Sequence, residues 1–225
     1  MREYLGIIDL FVIAVIMFGP ELYSSWQAGS AEPEDGTDVC AFSARENISA
    51  AIFQAIQLAA AIVYLHMRGV NPYRANFHIS LKSVLASVAL FCVFGLCMDL
   101  VTSCKSGFHW IPKILRNNVP ILSAAEDVDL SLVVVSLLNG FYEEFFFLVV
   151  CTWVEPRYSL PALMLTIAIR VLIHTYQGWG TAVAIGVGMG AVQYLLFTEV
   201  SDNLFLYAFS HGLADVFGLS LFNIL

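Results

Sequence analysis

Residues 130–153 read LSLVVVSLLNGFYEEFFFLVVCTW, an apolar run interrupted by one pair of glutamates. A helix of about 20 mostly apolar residues crosses the roughly 30 Å of hydrocarbon in a bilayer, so this run is long enough to span a membrane. Glu143 and Glu144 are its only charged side chains. The stretch therefore predicts a transmembrane helix that carries two ionisable groups within the membrane.

Similar apolar runs occur along the rest of the chain and predict six further helices. Their expected limits are about residues 4–19, 48–67, 81–102, 162–176, 181–197 and 204–222. The first should end at Gly19-Pro20, although its helix could extend toward Trp26. In the sixth run, Ala182, Gly186 and Gly190 recur every four residues, a spacing that lets helix backbones approach closely. Together the runs predict an all-α, polytopic transmembrane bundle of about seven helices.

The composition agrees with a membrane protein. Hydrophobic residues make up 59% of the chain and charged residues 12%, whereas soluble domains are about 45–50% apolar and about 25% charged. The net charge of −8 argues against nucleic acid as a partner. We expect a multi-pass integral protein of the cell membrane whose main partner is the lipid bilayer.

The sequence shows no internal repeat and no second domain. We divide its one integral bundle into two parts. Residues 1–124 hold the N-terminal transmembrane helices and polar loops, and residues 125–225 form a helical core. This core carries most of the residues that could do chemistry.

Six ionisable residues lie in or at the ends of the last four predicted helices: Glu143, Glu144, Arg170, His174, His211 and Asp215. Such groups cost a few kcal/mol each at mid-depth in a bilayer and are retained when they pair or act. Neighbouring helix positions point about 100° apart, so one glutamate can face a central cavity while the other braces a neighbouring helix. The alternative is that these groups form buried ion pairs that only specify packing.

The two histidine segments show the same spacing. Arg170 and His174 are four residues apart, and so are His211 and Asp215, which puts each pair on one helix face. A carboxylate one turn from a histidine can fix the tautomer and the orientation of its ring. Three helices would thus each contribute Glu or His to one bundle.

The order of these residues resembles that of the CPBP family. A Glu-Glu pair lies in one helix, a histidine ends the next, and His-x-x-x-Asp or His-x-x-x-Asn lies in a later one. The family comprises the CAAX prenyl endopeptidases, the bacteriocin-processing and immunity proteins, and the lysostaphin-resistance-like proteins, also called Abi proteins. The likeness covers about residues 125–222. The segment RVLIHTYQGWG at residues 170–180 is similar to members that carry His-x-Tyr-Gln-Gly.

The resemblance implies a glutamate-dependent intramembrane endopeptidase. By the family pattern, Glu143 activates the attacking water with help from His174. His211 and Asp215 stabilise the oxyanion, and Glu144 orients the site. Members are often described as metalloproteases, although a metal-free glutamate mechanism also fits the family. Both glutamates and both histidines could hold zinc with an open position, so the cofactor is either none or zinc.

The chain departs from the family pattern at three positions. Leu148 stands where the family has an arginine four residues after the second glutamate, Arg170 stands where many members have phenylalanine, and Asp215 stands where some have asparagine. We expect Arg170 to replace the missing partner of Glu144. An ionised Asp215 cannot donate to an oxyanion, so it would have to be protonated or act through His211.

The leading prediction is therefore an intramembrane endopeptidase that cleaves a peptide or a lipidated protein. The first alternative is a non-catalytic membrane scaffold or bacteriocin-immunity protein that retains the family site, which the leucine at position 148 favours. The second is a proton-coupled transporter, since intramembrane Glu and His also serve as relays. The chain shows no inverted repeat of the kind that many transporters carry.

Overall fold

A computed structural model describes residues 2–29, 43–106 and 128–219 of the chain. The boundary expected between residues 124 and 125 lies outside these residues. The helices of the described part are α1 (Ile7–Gly29), α2 (Ala44–Met67), α3 (Leu81–Ser106), α4 (Leu130–Val150), α5 (Ser159–Ile173), α6 (Trp179–Glu199) and α7 (Leu204–Phe217).

Six of these helices are long and apolar enough to cross a membrane, and α7 is a shorter apolar helix. The described residues thus form the all-α helical membrane bundle that the sequence predicts. The chain is a multi-pass integral membrane protein. Many large apolar side chains of the outer helices remain exposed, such as Ile56 and Leu85, as expected where lipid rather than water surrounds the bundle.

The first helix is longer than predicted because it continues through Pro20. Proline has no N–H, so the carbonyl of Ile16, four residues earlier, loses its partner within the helix. The Nε2 atom of Gln57 on α2 donates to this carbonyl at 3.3 Å and to the carbonyl of Met17 at 2.8 Å. Since a neighbouring helix satisfies the freed carbonyl, the helix continues to Gly29. The end expected at Gly19-Pro20 is wrong, and the alternative extension toward Trp26 is confirmed.

Two helices contain a wider, π-helical turn. In α4 it covers Phe145–Val150 and begins directly after Glu144, and in α6 it covers Ala184–Met189. Turns of this kind interrupt the regular helical register and occur frequently at functional sites. In α4 the irregular turn directly follows the two glutamates.

Helices α4 and α7 approach until their backbones touch. A Cβ atom at Gly140 on α4 would collide with the carbonyl oxygen of Ala208 and would lie 2.8 Å from the amide nitrogen of Gly212 on α7. At Gly212, a Cβ atom would lie 3.1 Å from the carbonyl oxygen of Ser136. This crossing brings the middle of α4 against the segment of α7 that carries His211.

Replacing Gly140 with alanine is expected to destabilise the protein by about 1–3 kcal/mol, the usual cost of overpacking. The obstacle is backbone, which cannot move aside as a flexible side chain could. The loss should appear as a lower unfolding temperature in detergent. Gly188→Ala is the matched control, because its Cβ atom would have nothing within 4 Å. A Gly140→Ala variant as stable as the wild type would contradict this view of the crossing.

The small-residue face predicted for α6 contacts α5. A Cβ atom at Gly186 would lie 2.7 Å from the backbone nitrogen of Val171, and one at Gly190 would lie 3.3 Å from the Cδ atom of Arg170. The expected close approach of the helix backbones is therefore confirmed at Gly186, whereas Gly190 makes room for the Arg170 side chain. It lets α6 lie directly beside the guanidinium-bearing face of α5.

Candidate active site

Glu144 on α4 is fully buried and contacts side chains of two other helices, α5 and α7. Arg170 on α5 donates to both carboxylate oxygens, from Nη1 to Oε1 at 3.1 Å and from Nη2 to Oε2 at 2.8 Å. The Nδ1 atom of His211 on α7 lies 2.8 Å from Oε1. Both oxygens of Glu144 are therefore occupied by donors from neighbouring helices.

Arg170 has two further partners besides Glu144. Its Nη1 atom also donates to Oε1 of Gln193 on α6 at 2.7 Å, and its guanidinium lies 4.2 Å from the ring centre of Phe147. Leu148, in contrast, is buried in the hydrophobic core. The cation that the family pattern places on α4 is thus supplied to Glu144 by α5, as our hypothesis for Arg170 required.

Glu143 is buried like its neighbour but differently paired. Its Oε1 atom accepts from Nδ2 of Asn139 at 3.3 Å. Its Oε2 atom is buried and finds no hydrogen-bond donor among the described residues. The Nε2 atom of His211 lies 3.9 Å from this oxygen. One carboxylate oxygen of Glu143 therefore remains able to accept a proton or a hydrogen bond.

His174 caps the C-terminal end of α5, where its ring is buried. Its Nδ1 atom lies 2.7 Å from the backbone carbonyl oxygen of Arg170. A carbonyl only accepts, so Nδ1 carries the hydrogen and Nε2 of the neutral ring is left as an acceptor. His174 and Glu143 line the same cavity, so the structure brings them to one place.

Asp215 lies at the edge of the site. Its Oδ1 atom is 3.6 Å from Nε2 of His211, and its Oδ2 atom accepts from Nδ2 of Asn139 at 2.8 Å. The Oδ1 atom of Asn139 accepts from Nε2 of Gln54 on α2 at 2.6 Å. Asn139 thus links Asp215 to Glu143, and both acceptors receive a hydrogen bond from its one amide nitrogen.

Asn139 is a site residue that our sequence analysis missed. It lies four residues before Glu143 and therefore on the same face of α4, and this spacing was the signal that could have found it. Gln54 offered no comparable signal, because it lies on α2 among apolar residues and far from the other site residues in the sequence.

Two cavities adjoin these residues. The larger, of about 410 Å³, is lined by His174, His211 and Asp215 together with apolar side chains of α3 and α6. The smaller, of about 190 Å³, is lined by Glu143 and His174, and by Glu21 and Gln54 from α1 and α2. His174, Asn139, Gln54 and Tyr176 border both cavities.

A series of hydrogen bonds between polar side chains lies at the end of the bundle where α2 and α4 begin. Asn47, which lines the larger cavity, donates to the hydroxyl of Ser131, and this hydroxyl donates to Asp129. The hydrogen bond from Ser131 holds the pKa of Asp129 below its usual value. Asp129 therefore carries its negative charge at neutral pH beside the start of α4.

The donor set does not fit a zinc site. Among the described residues, no three His, Cys, Asp or Glu side chains are arranged to hold a metal ion. Glu144 directs both oxygens to a guanidinium and a histidine, and a second cation there would compete with Arg170. Glu143 and the two histidines are therefore left without a place in a zinc site.

One family comparison bears on these residues. Residues 127–217 match the family described as Type II CAAX prenyl endopeptidase Rce1-like. This match supports an assignment to the CPBP/CAAX protease family. No curated protein and no solved structure matches the chain.

The family match covers helices α4 to α7, which include all six ionisable residues named from the sequence. It supports a CAAX-type intramembrane endopeptidase in general terms. In the same general terms, it implies a lipid-bilayer setting and a prenylated or other peptide as substrate. Glu21 and Gln54 lie outside the matched segment although they border the smaller cavity.

Proposed function

We propose that this protein is an intramembrane endopeptidase in which Glu143 activates a water molecule for attack on a peptide bond. The observation that carries the proposal is the unequal pairing of the two glutamates. Glu144 is saturated by Arg170 and His211, whereas Glu143 keeps a buried oxygen with no donor among the described residues. A general base needs an oxygen of this kind.

In the proposed reaction, the water oxygen attacks the carbonyl carbon while Glu143 takes the water proton. His174 assists, because its Nε2 atom can accept a hydrogen bond from the same water. A C–O bond forms and the carbonyl oxygen becomes an oxyanion. When the C–N bond breaks, Glu143 returns the proton to the departing amine, so the enzyme ends as it began.

His211 is the proposed oxyanion donor. Its Nδ1 atom is engaged with Glu144, while its Nε2 atom lies toward Glu143 and Asp215 at 3.9 and 3.6 Å. When the ring carries its second proton, Nε2 is a donor, and a donor aimed at a developing negative charge is worth about 2.7–4 kcal/mol in other hydrolases. Glu144 then acts by positioning His211 rather than by touching the substrate.

The larger cavity supports a substrate that is part apolar and part polar. Phe91 and Phe94 of α3 and Ile185 and Met189 of α6 line it, together with the polar groups of the site. Binding sites of this type combine apolar walls with a few convergent polar groups. We propose that the apolar wall holds the membrane-embedded part of the substrate while the scissile bond lies at His211.

The test is cleavage of labelled peptides, prenylated and unprenylated, by the purified full chain in lipid vesicles. We expect cleavage by the wild type and none by Glu143→Ala. Full activity of the Glu143→Ala variant would sink the proposal and favour a non-catalytic membrane protein. Equal cleavage of both peptide types would argue against a lipidated substrate.

Exchange of Asp215 for asparagine tests how this residue acts. Asp215 accepts from Asn139 and lies near His211, so we propose that it acts through these neighbours. Asp215→Asn should retain much of the wild-type kcat, because an amide can still hydrogen-bond to both. Asp215→Ala should lower kcat about tenfold, within the range of 10–100-fold that loss of a supporting residue costs at metal sites. Equal activity of the two variants would contradict a positioning role.

A further inference from the structure

Two buried oxygen atoms beside the smaller cavity have no hydrogen-bond donor among the described residues. One is Oε2 of Glu143 and the other is Oε1 of Gln54. Buried acceptors are normally satisfied by protein groups or by ordered water, because leaving one unpaired costs free energy. Both residues line the same cavity, so water molecules in that cavity can donate hydrogen bonds to both oxygens.

Glu21 supplies a third acceptor to this cavity. It lies on α1 directly after Pro20, and its Oε2 atom accepts from Nε2 of Gln57 at 3.4 Å. The cavity measures about 190 Å³, and a water molecule takes about 30 Å³ in the liquid. Several water molecules therefore fit between acceptors from α1, α2 and α4.

From this arrangement, and resting on the proposed function, we infer that the smaller cavity is the water chamber of the reaction. In it, Glu21 and Gln54 position the water that Glu143 activates. Hydrolysis consumes one water molecule in each turnover, and within a bilayer this molecule must come from a polar compartment. The oxygens of Glu21 and Gln54 accept hydrogen bonds from the chamber water and so hold it against Glu143.

The chamber lies apart from the apolar wall of the larger cavity. Glu143 and Glu21 border only the smaller cavity, and Phe94 and Met189 border only the larger one. His174 and Asn139 stand between the two, where the scissile bond and the water would meet. Substrate and water thus approach the reacting centre from different sides, and the two N-terminal helices supply the water side.

Steady-state kinetics of the purified full chain can distinguish residues that position water from residues that bind substrate. Glu21→Leu and Gln54→Leu should each lower kcat about 10–100-fold with little change in KM, since misplacing a reacting group by about 1 Å can cost 10²-fold. Glu21→Gln should retain most of the activity, because it keeps an acceptor oxygen. Phe94→Ala, in the larger cavity, should instead raise KM. Glu199→Leu, an exposed site on α6, is the matched control and should match the wild type.

A measurement independent of activity is X-ray hydroxyl-radical footprinting, which labels buried side chains that contact bound water. Tyr142 and Tyr207 are both 1% exposed, but only Tyr142 borders the chamber. Tyr142 should be labelled well above Tyr207, and Gln54→Leu should reduce the difference.

Three results would overturn the inference. They are equal labelling of Tyr142 and Tyr207, wild-type kcat in both leucine variants, and equal loss in Glu21→Gln and Glu21→Leu. If instead the wild type is active, Glu143→Ala is inactive and the leucine variants are unaffected, the proposed function stands and only the water chamber fails.

Discussion

Glu143→Gln is expected to lower kcat by about 10²–10⁴-fold, the range attributed to a general base. Glutamine has nearly the same shape and keeps an oxygen for the hydrogen bond from Asn139, but it cannot take a proton from water. Because Oε2 of Glu143 has no donor among the described residues, little native pairing is lost. The unfolding temperature should therefore stay close to that of the wild type.

The measurement is kcat and KM for a peptide that the wild type cleaves, with unfolding followed in the same detergent. Glu199→Gln, on the exposed end of α6, is the matched control. If Glu143→Gln retains cleavage, Glu143 is not the base, and the alternative of a membrane scaffold with a relic site gains weight. If cleavage and stability fall together, the role of Glu143 is structural.

Arg170→Gln is expected to destabilise the protein by about 3–5 kcal/mol, the usual cost of removing one partner from a buried ion pair. The change leaves the Glu144 carboxylate with only the contact from His211 and leaves Oε1 of Gln193 without its donor. Activity should fall as well, because His211 is held through Glu144. Unfolding in detergent measures the first effect and peptide cleavage measures the second.

A double-mutant cycle tests whether Arg170 and Glu144 act as one unit. The double variant Glu144→Gln, Arg170→Gln should lose little more stability than either single variant, because no uncompensated charge is left behind. Additive losses would argue against coupling. Arg157→Gln is a suitable control. Its pair with Glu155 is 2.7 Å long, but the Arg157 side chain is 69% exposed, and exposed pairs contribute about 0–1 kcal/mol.

The two adjacent glutamates illustrate how one sequence pattern can carry two roles. They are neighbours in the chain, yet helix geometry turns them about 100° apart. Glu144 faces Arg170 and His211, whereas Glu143 faces Asn139 and the smaller cavity. The roles proposed for them follow from these partners, since a saturated carboxylate is a poor base and an unsaturated one is available.

The structure also gives a physical reason why leucine is tolerated at position 148, where the family pattern has an arginine. A buried carboxylate needs a cation within contact distance, and the cation need not come from the same helix. Arg170 reaches Glu144 from α5 because α6 presents Gly190 to its side chain. A Cβ atom at this position would lie only 3.3 Å from the Cδ atom of Arg170. Leu148 is then free to join the apolar core.

Much of this protein was predictable from sequence because membrane insertion is a local property. Each span depends on the transfer free energy of about 20 consecutive residues, so hydropathy located the helices. The rarity of charge within those runs likewise singled out Glu143, Glu144, Arg170, His174, His211 and Asp215. The continuation of α1 through Pro20 was not predictable in this way, because its freed carbonyl is satisfied by Gln57 from another helix.

By itself, the amino-acid sequence determined the helical membrane class, the ionisable residues of the site and the family resemblance. Only the tertiary structure decided which glutamate is paired, that Asn139 joins Glu143 to Asp215, and that Gln54 and Glu21 border the site. The physical reason is that pairing and cavities depend on how helices cross. Crossings depend on backbone contacts such as that of Gly140 with α7, which the apolar periodicity of a single helix does not encode.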